Sequence, residues 1–183
     1  MHKLIYIFTS ALLLIGCSND YTPKPTGFFR IDLPEKKYQK SYLDCPFYFE
    51  YGQYAKTEDR QEYCWFNMQF PDMNGTLHMS YKAVDGNLNE YINNSHDLAY
   101  KHSRFADGIR EQPYQNPNKN VYGIVYDFEG NTATAMQFYL TDSIHHFVRG
   151  ALYFNTEIND SIAPVSNFLK ADIYHLVDSW EWK

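Results

Sequence analysis

The chain has 183 residues, 16 basic and 22 acidic, for a formal net charge of −6. That balance argues against sequence-independent binding to DNA or RNA, which needs phosphate neutralisation by Lys and Arg, and against electrostatic adhesion to anionic lipid. Aromatic residues make up 18% of the chain, with 17 tyrosines and 13 phenylalanines, and composition alone assigns them to a β-rich core and a tyrosine-studded sheet before a sticky surface.

The first element is a short basic start, Met1 to Lys3, followed by Leu4 to Ile15, apolar except for Thr9 and Ser10. Such a run is shorter than the roughly 20 residues a spanning helix needs, and fits the apolar region of a secretory signal, about 7–15 residues. It ends in Leu14-Ile15-Gly16-Cys17, which resembles the lipobox of bacterial lipoproteins. That resemblance implies cleavage after Gly16 and lipidation (palmitate among the acyl groups) at Cys17. Residues 1–16 are therefore expected to be a signal peptide, 17–27 the lipidated cysteine and its tether, and 28–183 a single globular domain. One acyl chain binds a membrane marginally and several bind it stably, so the lipid is expected to do the anchoring. The tether, "SNDYTPKPTG", holds two prolines that favour a stiff, extended segment. "FFRIDLPEKKY" follows, Phe28 to Tyr38, with Phe28, Phe29 and Arg30 as candidate interaction residues on a surface-hugging arm.

Cys45 and Cys64 remain as an even pair in an exported chain, where disulfides persist. Joined, they would close a loop of about 20 residues, worth roughly 3 kcal/mol; the alternative is two buried thiols. "PFYFEYG" (Pro46–Gly52) and "YCWFNMQF" (Tyr63–Phe70) read as short strands, with polar "QYAKTEDRQE" between them as a loop. In "TLHMSYKAV", Leu77, Met79, Tyr81 and Ala83 share one face and His78, Ser80 and Lys82 the other, the period of a half-buried strand. The period then becomes helical through Leu88, Tyr91, Ile92, Leu98, Ala99, His102 and Phe105, with Asn87 and Glu90 as a capping pair. Three strands follow, "VYGIVYDF", "TATAMQFYL" and "HHFVRGALYF", whose short links predict an antiparallel meander. A last helix carries Val165, Phe168, Leu169, Ile173, Leu176, Val177 and Trp180 on one stripe, with Pro164 in its first turn. The predicted fold is α+β: a mainly antiparallel sheet with two helices packed on it. The order of elements also resembles the PsbP/Mog1-type α/β sandwich, an analogy of pattern that says little about function.

Motifs for catalysis or metal binding are scarce. There is no GxSxG, HExxH, P-loop or CxxC. His145 and His146 are adjacent on a predicted strand and point to opposite faces, and His96 and His102 are far apart in angle on a helix. No metal site and no cofactor is expected. A hydrolase built from Ser143, His145 and Arg149 would need these side chains to converge in one cleft. Arg149, a further candidate interaction residue, sits mid-strand among apolar residues; exposure is the expectation, because buried charges are rare. Trp65, Trp180 and Trp182 could stack on sugar rings, which keeps a glycan- or peptidoglycan-binding lipoprotein as the alternative reading.

Several longer stretches, "YTPKPTGFFRIDLPEKKY", "AYKHSRFADGI", "QFYLTDSIHHFVRGALYF" and "DSIAPV", resemble the gliding-motility lipoprotein GldD family of Bacteroidetes. Thr26 stands where that family pattern leads one to expect a basic residue. The resemblance implies an outer-membrane-anchored, non-enzymatic component of the gliding machinery, tied to type IX secretion and to the movement of surface adhesins. Its implied partners are other gliding or secretion proteins of the envelope. Lipoproteins exported to the surface resemble one another in an acidic run after the cysteine; here only Asp20 follows closely, so the periplasmic face is expected.

Overall fold

The computed structural model describes residues 31–101, 106–130, 132–156 and 161–183, so Cys17, Phe28, Phe29 and Arg30 lie outside the described residues, as do His102 and Phe105. Strands are numbered in chain order. β1 (Tyr38–Lys40) pairs with β3 (Glu50–Gly52), and β2 (Phe47–Tyr48) pairs with the C-terminal β11 (Glu181–Trp182). The main sheet holds β4 (Lys56–Asp59), β5 (Phe66–Phe70), β6 (Gly75–Ala83), β7 (Gly108–Asn116), β8 (Val121–Glu129), β9 (Thr134–Thr141) and β10 (His146–Phe154). All its pairings are antiparallel, in the order β4-β5-β6-β10-β9-β8-β7. Helix α1 (Leu88–Lys101) packs on one face and α2 (Ala163–Ser179) on the other. This is the expected α+β architecture with a sheet-dominated core.

Period-2 alternation decides which helix each strand side meets. Leu77 and Met79 of β6, Val125 of β8, Phe138 and Leu140 of β9, and Leu152 of β10 point to α2, where Leu169, Ile173 and Leu176 close over them. Tyr126, Phe128, Tyr139 and Phe147 point the other way and pack against Ala99 of α1. The α2 layer is completed by the small strands. Trp180, 0% exposed, stacks on Phe47 at 4.6 Å and Phe49 at 5.3 Å between ring centroids. Gly150 lets the sheet close at that point: a Cβ there would stand 2.3 Å from the Phe138 ring.

Two hairpins use the same connection. Pro71–Met73 and Pro117–Lys119 each form one 3₁₀ turn ended by an asparagine in the left-handed region, Asn74 (φ 52°) and Asn120 (φ 51°). Proline presets the first turn, and asparagine tolerates the positive φ that reverses the chain. A bond between Cys45 and Cys64 ties the β4–β5 turn to the segment ahead of β2.

The structure departs from the sequence expectations in several places. Residues 53–62 are not all loop, since they contain β4, an edge strand with all four residues exposed. Pro46–Gly52 is two strands with different partners, divided at Phe49, whose backbone pairs with Ser41. β7 is an additional strand directly after Asp107, starting at Gly108. Ala83 is exposed at the end of β6. The Asn87 side chain does not cap α1 from the third residue: its Oδ1 accepts from the Asp85 N–H at 3.0 Å and its Nδ2 donates to the Tyr91 hydroxyl at 2.9 Å.

Candidate functional site

A single line of register partners crosses all seven strands of the main sheet on the α1 face. It runs Glu58, Asn67, His78, Ala151, Gln137, Tyr126, Glu111. Six of these seven are polar, and the first three bond to one another across strands. Asn67 Nδ2 donates to Glu58 Oε2 at 3.3 Å, and Asn67 Oδ1 meets His78 Nδ1 at 2.8 Å. The carboxylate fixes which end of the Asn67 amide faces it, so His78 must donate through Nδ1 and keeps Nε2 as an acceptor. Burial, and then the charge of Arg60, hold the His78 pKa below its ordinary value. At the far end Tyr126 meets His96 of α1 (3.4 Å), and the Tyr100 hydroxyl donates to Glu111.

Ala151 leaves room in this line, and Arg149 and Tyr153, two residues away on either side, use it. Arg149 Nη2 donates to Gln137 Oε1 at 2.5 Å, and the guanidinium also hydrogen-bonds Tyr153. Arg149 is half-buried, which corrects the expectation of exposure: the shelter comes from neighbouring strands and α1, not from its own sequence neighbours. Burial pushes its pKa down. Gln137, 1% exposed, accepts this bond while its Nε2 has no acceptor among the described residues.

Arg149 lines a groove of about 690 Å³ between α1 and strands β5, β6 and β10, with the β4–β5 turn as its far wall. Arg60, Lys82, Asn67, His78, Trp65 and Asn94 are on its walls. Lys82 Nζ stands 5.3 Å from the Tyr91 ring centroid and 5.9 Å from that of Trp65, while Trp65 Nε1 donates to the Tyr81 carbonyl at 2.9 Å.

On the opposite face a second polar cluster fastens the incoming chain to α2. Asp172, 4% exposed, accepts from Lys36 Nζ at 2.5 Å, from the Tyr38 hydroxyl at 2.9 Å and from the Tyr54 hydroxyl. Lys36 also covers the Phe168 ring, and Tyr38 stacks on His175 with centroids 3.7 Å apart. Burial first, then the hydrogen bond and charge of Asp172, push the Tyr38 pKa up to about 12.

The other sequence candidates are dispersed. Ser143 lies in the β9–β10 turn at φ 72° and lines a different hollow, beside Leu88 and Tyr139, from the one Arg149 lines. Asp142 in that turn accepts from the N–H groups of Ile144, His145 and His146. Its pKa is raised by burial, but those N–H groups outweigh this and hold it below the usual carboxylate range. His145 belongs to the turn and not to the strand, which begins at His146. Trp180 is core, and Trp182 stacks on His146 at 5.2 Å. Among the described residues no three of His, Cys, Asp and Glu gather as a metal-ligand set. Sequence reasoning missed the polar line. Its one local signal is a polar residue inside an apolar run, Asn67 in "FNMQF" and Gln137 in "AMQFY".

No curated protein matches the chain. A family model described as "Gliding motility lipoprotein GldD" matches residues 18–182.

Proposed function

The chain belongs to the family of gliding motility lipoproteins described as GldD, and from that premise we propose that it is a lipid-anchored, non-catalytic assembly component that docks other proteins of the gliding machinery. Cys17 carries the acyl chains, the anchor lies in the outer membrane, and the domain faces the periplasm, where it supports type IX secretion and the movement of surface adhesins. The observation that carries the docking reading is the groove: an open recess on one sheet face, walled by charged and amide side chains, in a fold whose other face is filled.

Two further features favour docking over the alternatives. Trp65 is half-buried in the groove wall, Trp182 has His146 against one face and Trp180 is buried, which leaves poor platforms for sugar rings. Ser143 and Arg149 line separate hollows, so the nucleophile, base and cation of a hydrolase are not assembled.

The test is crosslinking in cells that carry the tagged full-length protein, comparing wild type with Cys17→Ala. Gliding or secretion components should co-purify with the wild type and be lost with the lipid. A deletion strain that keeps both motility and secretion would sink the reading.

A further inference from the structure

We propose that the groove binds an acidic, extended segment of polypeptide, and that Arg149 is the residue that takes its carboxylate. This deepens the docking reading and rests on it. The first observation is a mismatch of charge and partner. Elsewhere in the fold the sheltered cations have acids: Lys170 meets Asp127 at 2.5 Å, and Lys36 meets Asp172. Arg149 is comparably sheltered, yet its partners are the neutral Gln137 and Tyr153, and no carboxylate reaches it among the described residues. A guanidinium offers five N–H donors in a planar fork that matches a carboxylate, and keeping it away from water without one is unfavourable.

The second observation is the sign of the groove. Arg60, Lys82 and Arg149 line it against Glu62, in a chain whose net charge is −6. Neither Arg60 nor Lys82 has an ion-pair partner among the described residues. Lys82 is held over Tyr91 and Trp65 at the groove wall. His78, with its lowered pKa, adds a neutral acceptor and not a fourth cation. A positive recess in a negative surface selects an acidic partner and steers it in.

The third observation concerns which acidic partner. A nucleic acid would face the repulsion of the rest of the surface with few cations to neutralise its phosphates. An acidic glycan would look for an open aromatic platform, and Trp65 is half-buried in the groove wall, its indole N–H held by the Tyr81 carbonyl and Lys82 Nζ 5.9 Å from its ring centroid. A peptide needs cations for its carboxylates and hydrogen-bonding side chains for its main chain, and the Asn94 amide and the Ser80 hydroxyl stand beside the cations on the groove wall. The volume, about 690 Å³, falls in the ordinary range of ligand sites and gives room for a short run of side chains.

The test uses the full-length lipidated protein in nanodiscs of zwitterionic lipid, titrated with a fluorescent hexaglutamate. Hexaglutamine, inorganic phosphate and an oligouronate serve as comparison ligands. Saturable binding of hexaglutamate alone is expected. Arg149→Gln should weaken it about tenfold or more, and Lys82→Gln, at an exposed side chain, should weaken it less. The two variants together keep the result readable if Arg149→Gln fails to fold. Equal binding of hexaglutamine, tighter binding of the oligouronate, or unchanged binding in both variants would overturn the proposal. If hexaglutamate fails to bind while crosslinking still recovers gliding components, docking stands and uses another surface. If neither occurs, the docking reading falls as well.

Discussion

The two faces of the main sheet are built to opposite rules. The α2 face is closed, and rings and aliphatic side chains from β2, β3, β5, β6, β8, β9, β10 and α2 fill it. The α1 face is covered only in part, by a small cluster around Ala99, Tyr126 and Phe147, and beyond it lie a polar line and a positive groove. Both faces come from the same strands, so propensity does not separate them; what sits at odd and even positions does. Burial on one face stabilises the fold and leaves the other free to carry groups that folding alone would not retain, such as a sheltered arginine with no acid among the described residues.

The contrast can be broken first at Trp180. Trp180→Ala removes a ring at 0% exposure that stacks on both Phe47 and Phe49, and should cost about 3–5 kcal/mol in chemical denaturation. A loss below about 1 kcal/mol would mean that stability does not reside on the α2 face. Asp172→Ala comes next. It leaves Lys36, Tyr38 and Tyr54 without their shared acceptor, and a loss of about 2 kcal/mol is expected, with faster hydrogen exchange in β1. The Tyr38 phenol, pushed up to about 12, should then titrate lower by ultraviolet absorbance, though not back to its ordinary value, because burial is the larger cause.

The smallest effect sharpens the contrast on the α1 face. The folded-state pKa of His78 lies below the unfolded value near 6.5, so the unfolded chain takes a proton that the fold resists. Above that pH the group is neutral in both states and has no effect. As pH falls from about 6.5 towards the folded pKa, stability should drop by a few tenths of a kcal/mol, limited by solvent screening at the groove. His146 shifts the same way, through burial, so His78→Gln should flatten only part of the slope in denaturation series.

Much of this was legible in the sequence because burial leaves a period. The odd and even faces of β6, β8, β9 and β10 and the stripe of α2 could be written from residue types before any contact was known. β4 was not legible, because an edge strand exposed at all four positions, "KTED", has no apolar partner to mark its phase. β7 hides for a related reason, as the opposite edge, with Pro113 within it. The site was legible only in fragments. Glu58 and Glu111 stand at opposite ends of one polar line, and nothing local in either announces the register that aligns them. Arg149 was misread for the same reason: Gln137, twelve residues away, shelters it by lying on the adjacent strand.

The latch on Asp172 has a mechanical consequence. The described chain begins at Ile31 and is fastened to α2 at Lys36 and Tyr38, while the groove opens on the far side of the sheet. With the leash held in a membrane and a partner seated in the groove, tension would run through the thickness of the domain. It would load the Asp172 contacts and the end of the short β1–β3 ladder first, and then cross packed side chains. The first joint on that load path is two donors, Lys36 and Tyr38, on one carboxylate, so slack under force would be let out there before the main sheet yields.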